Sequence, residues 1–341
     1  MAKNYKKDIE MMRPKISVIM PVYNVEAYVG DAIDSIINQT FIDWELIIVN
    51  DGSSDATAEK VRQYTDKRIV FIDNPHNKKK PACLNQAIAI ARGDYFIIMD
   101  GDDKSLPDRL QKKYEYMESH PQVVACGCQL KRFGNSDIQI TWPTTYEDIY
   151  LGLLTACIVN IPIVRMSTYK KHNLFFDENM LAEDYLMWIK LANLGEIVAL
   201  PDVLYLYRTH EKQMSQNNKR NIDKDVRLEK NLMFALFAQK INYLLPNDFE
   251  FWKANFEDVE SLRVTTSVVH DMICDHSKNP IFDTNKVNYQ LSKLWYRQFY
   301  NVPKRSFRGI SILLRERALR NNAKIGVKNI VFYLLKQIGL L

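Results

Sequence analysis

The sequence lacks any apolar stretch long enough to cross a bilayer. A membrane-spanning helix needs about 20 apolar residues, whereas strongly apolar runs such as residues 330–335 are far shorter. Residues 1–15 are polar and charged and contain no apolar core of a signal peptide. The five cysteines are scattered, without the paired spacing of a zinc site or a disulfide framework. These absences favour a reducing, cytoplasmic location.

Basic charge is concentrated near the carboxyl terminus. Between residues 301 and 341, nine Lys or Arg face one Glu, a net charge of +8, so the remainder carries −3 of the total of +5. Apolar residues of the same segment follow helical spacing: Val327, Ile330, Val331, Leu334, Leu335 and Ile338. The pattern predicts a basic amphipathic helix, which either contacts an anionic membrane surface or docks on the protein. No nucleic-acid-binding module accompanies the charge, so a nucleic-acid partner is not expected.

A strand–helix unit repeats between residues 16 and 103. Apolar runs predict strands at 16–20, 45–49, 68–73 and 94–99, separated by helices at 26–38, 56–64 and 81–91. Alternating strands and helices predict right-handed crossovers and a mostly parallel sheet. Further helices are expected at 107–120, 148–154 and 182–192, with strands at 123–133 and 198–207. The pattern is helical beyond residue 217, so we predict an α/β domain at 1–218 and a helical region with a basic amphipathic tail at 219–341.

Three carboxylates follow the fourth predicted strand, at Asp100, Asp102 and Asp103. Open α/β sheets bind their ligands beyond the carboxyl ends of the strands. Clustered carboxylates repel one another unless a cation joins them, and hard divalent cations take oxygen ligands. Asp51 and Asp73 end neighbouring strands and are expected to approach the cluster. The cluster alone is equally compatible with a solvated acidic turn, but this convergence favours a metal site that also binds phosphate.

Four motifs, in their order along the chain, resemble those of the family 2 glycosyltransferases. They are Ser17-Val18-Ile19-Met20-Pro21-Val22-Tyr23-Asn24, Val49-Asn50-Asp51-Gly52-Ser53-Ser54-Asp55, Asp100-Gly101-Asp102-Asp103 and Glu183-Asp184. The resemblance covers roughly residues 16–215. It implies a GT-A nucleotide-sugar-binding fold, a nucleotide-diphosphate sugar donor, a divalent cation (Mn²⁺ or Mg²⁺) and inversion at the anomeric carbon.

The resemblance also implies roles for individual residues. Asp184 is expected to be the catalytic base, with Glu183 in support. Asp102 is the expected metal ligand, supported by Asp103, and His210 lies in the late segment that contacts metal or diphosphate. Contacts to the nucleotide sugar are expected from Pro21, Tyr23, Asp51, Asp73, Asn85, Asp100 and Arg208.

The segment at residues 77–81 departs from the family pattern. A glycine-containing loop usually stands there, whereas this chain has Asn77-Lys78-Lys79-Lys80-Pro81. We interpret the three lysines as a solvated loop. Attraction of phosphate to the donor pocket is the alternative.

The motifs together predict an inverting, metal-dependent glycosyltransferase. It would move a hexose or N-acetylhexosamine from a UDP-sugar to a hydroxyl of an oligosaccharide acceptor, lipid-linked in the favoured case. The expected process is synthesis of a surface polysaccharide (O-antigen, capsule or lipooligosaccharide), at the inner face of the cell membrane. A sugar nucleotidyltransferase is one alternative, but it needs a glycine-rich loop after the first strand, which residues 21–24 lack. A non-catalytic binding protein is the other, but it would need no base such as Asp184.

Overall fold

The structure is a computed structural model that describes residues 13–159, 161–180, 183–210, 219–247, 249–251, 259–298, 307–326 and 329–330. Most of the predicted amphipathic tail, residues 331–341, therefore lies outside the described residues. Two compact units are present. The first contains the chain up to Ile149 together with Cys157–Ile222, and the second contains Tyr150–Ala156 and the chain from Asp223 onward. The boundary that the sequence predicts between residues 218 and 219 stays a prediction.

The first unit begins with the predicted strand–helix repeat. Its elements are β1 (Ile16–Val22), α1 (Val29–Ile37), β2 (Trp44–Asp51), α2 (Thr57–Arg62), β3 (Ile69–Asn74), α3 (Lys80–Ile90) and β4 (Tyr95–Ile98). These four strands are parallel and lie in the order β3-β2-β1-β4. The carboxyl ends of β1, β2 and β4 therefore lie at one edge of the sheet, as the repeat predicts.

The rest of the first unit extends the same sheet with mixed strand directions. Its elements are β5 (Lys104–Ser105), α4 (Arg109–Ser119), β6 (Val123–Gly134), β7 (Gln139–Ile140), α5 (Tyr146–Leu153), β8 (Ile163–Arg165), α6 (Met166–Lys171), α7 (Glu183–Leu194) and β9 (Glu196–Thr209). The order continues from β4 through β8, β6 and β9 to β5, and β7 pairs with β6. β8 runs antiparallel to β4 and β6, whereas β6 and β9 are parallel. The predicted α/β class is confirmed.

The first strands are buried on both faces. Every residue of β2 is buried, as is every residue of β1 except Pro21. A continuous apolar run is what a parallel sheet covered by helices requires, because neither face meets water. α1 contributes Val29, Ala32, Ile33 and Ile36 to this core, at helical spacing. Polar side chains are thereby confined to the strand ends.

The second unit is helical in the residues that the structure describes. Its helices are α8 (Lys219–Lys240), whose first four residues are assigned to the first unit, α9 (Val259–Lys278), α10 (Thr284–Gln298), α11 (Phe307–Arg315) and α12 (Arg317–Asn322). Trp295 is fully buried and donates its indole N–H to Thr266 Oγ1 over 2.9 Å. Phe234 and Phe251 stack with ring centroids 4.4 Å apart. None of the described helices is both long and apolar enough to span a membrane.

Candidate active site

The carboxylates after β4 form a tight turn at the carboxyl end of that strand. The Asp103 N–H donates to the Asp100 carbonyl over 3.3 Å, and the Asp103 side chain is fully buried. Burial raises the pKa of Asp103 well above its ordinary value, and the charges of Asp100 and Asp102 raise it further. The three carboxylates are thus close enough to repel one another, which is the condition that a cation would relieve.

Asp102 is paired with His210, which follows the last residue of β9. His210 Nε2 lies 3.0 Å from Asp102 Oδ2, and the imidazole packs against Tyr28 with ring centroids 4.7 Å apart. A carboxylate oxygen and an imidazole nitrogen suit Mn²⁺, and the carboxylate alone suits Mg²⁺. The described part of the chain contains no group of three or more His, Cys, Asp or Glu residues that could hold a metal ion together. The residues fit an ion whose remaining positions are completed by oxygen atoms of a bound diphosphate or by water.

Arg208, on β9, forms hydrogen bonds with the acidic turn. Its backbone N–H donates to Asp103 Oδ1 over 2.7 Å, and its Nε donates to the Asp102 carbonyl over 2.7 Å. The guanidinium also forms an ion pair of 2.7 Å with Asp31 and lies over the rings of Tyr28 and Phe133. In this arrangement Arg208 orients the turn that carries Asp102, the predicted metal ligand. The diphosphate contact expected from the sequence stays a prediction.

The end of β2 carries Asp51 next to a close approach of two loops. Asp51 is buried, and its Oδ1 accepts the backbone N–H of Lys78 over 2.6 Å. Gly52 follows with a φ of 68°, and a Cβ there would lie 2.7 Å from the backbone carbonyl carbon of His76. Only glycine fits such a position without displacing the neighbouring loop. The residue predicted to contact the nucleoside, Asp51, therefore lies where the loop after β2 packs closely against the loop at residues 76–78.

The other predicted nucleoside residues are less closely grouped. Pro21 lies on β1, and Tyr23 follows that strand with 47% of its side chain exposed, which leaves its ring available to a ligand. Asp73 lies on β3, the outermost strand, where it accepts a hydrogen bond of 2.7 Å from Asn50 and pairs with Arg62. β2 and β1 separate β3 from β4, so the sheet does not bring Asp73 beside the acidic turn as expected.

Asn85 forms hydrogen bonds with the segment that precedes α7. Its side chain donates to the carbonyl of Phe176 over 2.8 Å and accepts the N–H of the same residue over 2.9 Å. A further contact of 3.2 Å reaches Glu178. This paired exchange fixes the loop that leads to Glu183 and Asp184. The geometry therefore gives Asn85 a loop-holding role, while its predicted contact to the donor stays a prediction.

The interpretation of residues 78–80 as a solvated loop is wrong for Lys80. Lys78 and Lys79 are exposed, but Lys80 is partly buried and its Nζ lies 2.9 Å from Asp100 Oδ1. Lys79 caps α3 with a φ of 72° and a ψ of 158°, a conformation that glycine adopts readily and other residues rarely. The loop therefore takes a glycine-like conformation although it contains lysine, and this turns Lys80 toward the acidic turn.

We predict that Lys79→Gly stabilises the protein by about 1 kcal/mol. A non-glycine residue in such a backbone conformation typically destabilises the folded state by about 1–3 kcal/mol. Glycine removes this strain, but part of the gain is offset because glycine makes the unfolded chain more flexible. Thermal unfolding of the variant measures the gain. Lys78→Gly is the matched control, because Lys78 has an ordinary φ and should lose roughly 0.5–1 kcal/mol. Equal destabilisation by the two substitutions would show that the backbone at residue 79 is not strained.

Asp184 is the second residue of α7 and is an exposed residue. Its Oδ1 accepts the N–H of Tyr185 over 2.7 Å, and the thiol of Cys157 lies 3.9 Å from its Oδ2. The surrounding protein desolvates this carboxylate and raises its pKa, as does the charge of Asp100, while the charge of Lys80 lowers the pKa. The predicted base and the acidic turn are therefore electrostatically linked. Glu183 begins α7, and its side chain lies outside the described residues.

Sequence reasoning missed three residues of this site. Lys80 was attributed to a solvated loop, and Asp31 and Tyr205 were not considered. Asp31 pairs with Arg208 and, at 3.0 Å, with Lys104, whereas the buried Tyr205 hydroxyl accepts the N–H of Asp100 over 3.3 Å. The expected helix–strand pattern gave no signal for Asp31, because an acidic residue early in a helix is ordinary.

Comparisons with known proteins place this architecture in a family. The Glycosyl transferase family 2 profile matches residues 17–171. An uncharacterized glycosyltransferase of Haemophilus influenzae is 29% identical over 319 residues, covering 88% of this chain and 98% of that protein. A second uncharacterized glycosyltransferase of the same organism is 35% identical over 186 residues, covering 52% of this chain and 72% of that protein. The Escherichia coli UDP-Glc:alpha-D-GlcNAc-diphosphoundecaprenol beta-1,3-glucosyltransferase WfgD is 27% identical over 204 residues, 59% of this chain and 80% of that protein.

A solved structure shares the fold along nearly the whole chain. The crystal structure of TarS 1–349 from S. aureus, in complex with UDP-GlcNAc, matches with a TM-score of 0.59 and 20% identity. The match covers 96% of this chain and 91% of that one. The chain belongs to the family 2 glycosyltransferases, and it is a transferase with a GT-A fold. This assignment replaces the two alternatives of a nucleotidyltransferase and a non-catalytic binding protein.

Proposed function

We propose that the protein is an inverting, metal-dependent glycosyltransferase that uses a UDP-sugar. The observation that carries the proposal is the acidic turn after β4, where Asp102 Oδ2 lies 3.0 Å from His210 Nε2 and Asp100 Oδ1 lies 2.9 Å from Lys80 Nζ. The charge of Asp100 also raises the pKa of Asp184. A group that binds the leaving diphosphate and a base for the acceptor must lie near the same sugar. The turn with Asp102 and His210 provides the first, and Asp184 provides the second.

The base role follows from the surroundings of Asp184. Asp184 is an exposed residue, so an acceptor hydroxyl can reach it, and its raised pKa makes it a better proton acceptor than an ordinary aspartate. Asp184 would take the hydroxyl proton as the oxygen attacks the anomeric carbon, and the bond from that carbon to the diphosphate breaks. A single displacement of this kind inverts the anomeric configuration.

The residues that would hold Mn²⁺ or Mg²⁺ are Asp102 and His210. The bound ion supplies neutralisation of the negative charge that develops on the departing diphosphate. Asp103 and Arg208 keep the Asp102 turn in place through the hydrogen bonds described above. Asp100 would contact the donor, with Asp51, Pro21 and Tyr23 around the nucleoside.

The name of one relative supports the substrate class. WfgD is named for transfer of glucose from UDP-Glc to a GlcNAc-diphosphoundecaprenol acceptor. We propose by analogy a hexose or N-acetylhexosamine donor and a lipid-linked oligosaccharide acceptor, in the synthesis of a surface polysaccharide. Such an acceptor places the reaction at the inner face of the cell membrane. Contact of residues 301–341 with anionic lipid stays a prediction from the sequence.

A donor-hydrolysis screen tests this function. UDP-sugars and GDP-sugars are incubated with the protein and Mn²⁺, and release of the nucleoside diphosphate is measured. We expect release from one or more UDP-sugars, little from GDP-sugars, and loss of release when a chelator removes the ion. Release from GDP-sugars alone would overturn the proposed donor, and full release in the chelator would overturn the metal dependence.

A further inference from the structure

Polar residues along α1 and just after it hold the chain that leaves the acidic turn. Successive members of this set lie four positions apart, so they share one side of the helix. The contacts are an ion pair of 3.0 Å between Asp31 and Lys104, a hydrogen bond of 3.1 Å from the Ser105 N–H to the Ser35 hydroxyl, and one of 2.8 Å from the Gln39 amide to the Leu106 carbonyl. The exit of the turn is therefore fixed to α1.

Asp31 also reaches the turn itself, through Arg208. Its Oδ2 accepts a hydrogen bond of 2.7 Å from Arg208 Nη2, and Nε of the same guanidinium donates to the Asp102 carbonyl over 2.7 Å. The Lys104 ammonium lies 3.0 Å from the same Asp31 oxygen. One carboxylate oxygen on α1 thus holds two cations, of which one contacts the Asp102 carbonyl and the other follows Asp102 by two residues.

The Arg208 guanidinium is confined by its surroundings. Its central carbon lies 4.7 Å from the centre of the Tyr28 ring and 4.4 Å from that of Phe133, and 15% of the side chain is exposed. Asp31 is 46% exposed, and an ion pair with an exposed partner contributes little to overall stability. The consequence of the pair is therefore local, because it orients the group that holds the Asp102 carbonyl.

We propose that Asp31 is a positioning residue of the divalent-ion site, which holds the Asp102 turn through Arg208 in the geometry that binds Mn²⁺. The inference rests on the proposed function, because it requires Asp102 to be a ligand of the ion. Asp31 is assigned no contact with the ion, the donor or the acceptor.

The expected effect on Mn²⁺ affinity follows from preorganisation. Without the Asp31 carboxylate the Arg208 guanidinium has fewer restraints, and the Asp102 turn must be ordered when the ion binds. A ligand that is already held in place avoids this loss of conformational entropy. Outer-shell partners of metal ligands typically contribute about 10–100-fold to metal affinity. Asp31 acts through one further residue, so we expect a smaller loss, about threefold to tenfold.

The test is the Mn²⁺ dissociation constant of the full chain in the presence of UDP, measured from the electron paramagnetic resonance signal of free Mn²⁺. Asp31→Ala should raise this constant about threefold to tenfold. Asp31→Glu retains the carboxylate and should recover most of the affinity. Asp34→Ala is the matched control, because Asp34 is an exposed carboxylate of the same helix whose side chain accepts a hydrogen bond from Tyr64. Its constant should equal that of the wild type.

A double-mutant cycle tests whether Asp31 acts through Arg208. Arg208→Met removes the guanidinium, so Asp31→Ala should cause no further loss of Mn²⁺ affinity in that background. If Arg208→Met unfolds, Arg208→Lys is used instead, because lysine has no group equivalent to the Nε donor. Thermal unfolding verifies that each variant is folded.

Three results would overturn the inference alone. They are an unchanged Mn²⁺ constant in Asp31→Ala, an equal loss in Asp31→Ala and Asp34→Ala, and losses that add in the double variant. The second would indicate a general effect of charge, and the third an effect that bypasses Arg208. Failure of the proposed function is a different result. The wild type would then bind no Mn²⁺ in the presence of UDP, or Asp102→Ala would retain the wild-type constant, and the inference would fall with it.

Discussion

The Asp184→Asn variant is expected to lose transfer while it binds the donor as the wild type does. General base catalysis typically contributes about 10²–10⁴-fold to a rate, so a loss of kcat in that range is expected. Asparagine has nearly the shape of aspartate, and its Oδ1 can still accept the Tyr185 N–H at the start of α7. It cannot, however, take a proton from the acceptor hydroxyl. The fold and the donor pocket should therefore be preserved.

The measurement pairs transfer kinetics with calorimetric titration of the donor in the presence of Mn²⁺. Asp271→Asn, an exposed aspartate on α9, is the control for loss of one carboxylate charge. Its kcat should be unchanged. Full transfer activity in Asp184→Asn would show that another group accepts the proton. Loss of donor affinity together with transfer would show that Asp184 belongs to the donor pocket instead.

The Asp102→Ala variant is expected to lose the part of donor binding that depends on the ion. The substitution removes the carboxylate oxygen that lies 3.0 Å from His210 Nε2, which leaves a single imidazole in the described ligand set. Loss of an outer-shell partner of a metal ligand typically costs about 10–100-fold in metal affinity. Loss of a residue that binds the metal directly should reduce metal affinity at least as much. The donor Kd in Mn²⁺ should therefore rise by about tenfold or more.

The readout is the difference between the donor Kd in Mn²⁺ and in a chelator. That difference should be large for the wild type and almost absent for Asp102→Ala. Asp137→Ala serves as the control, because Asp137 is 80% exposed and its ion pair with Lys131 lies at the surface. A variant that retains the full Mn²⁺ effect would remove Asp102 from the proposed metal site. Thermal unfolding excludes a general loss of structure, because the turn also carries buried Asp103.

The sequence predicted the first half of the sheet closely. Runs such as 16–20 and 45–49 are apolar at every position because both faces of a central parallel strand are covered, and the structure has strands at Ile16–Val22 and Trp44–Asp51. The short strands β5, β7 and β8 were not predicted. Each has two or three residues, too few to show a hydrophobic period, and depends on pairing with a neighbouring strand.

The sequence placed three acidic residues of the candidate site together, whereas their roles stay predictions. Asp100, Asp102 and Asp103 are adjacent in the chain, so their proximity follows from sequence alone. The contact between Asp102 and His210 required the resemblance to a family, because 108 residues separate them. Asp73 was expected beside the cluster, but the strand order placed β3 at the outer edge. Adjacency of strands in the chain does not determine their adjacency in the sheet.

What the sequence determined by itself is the strand–helix repeat, the acidic turn after β4 and membership of the glycosyltransferase family. These depend on local patterns of apolar, acidic and turn residues. Only the tertiary structure decided which of the three lysines stands beside that turn. Three consecutive lysines are equivalent as a charge run, but the backbone turn at Lys79 and the start of α3 direct Lys80 to Asp100. The distinction among the lysines arises from backbone geometry and from a partner 20 residues away, and neither is encoded in the run itself.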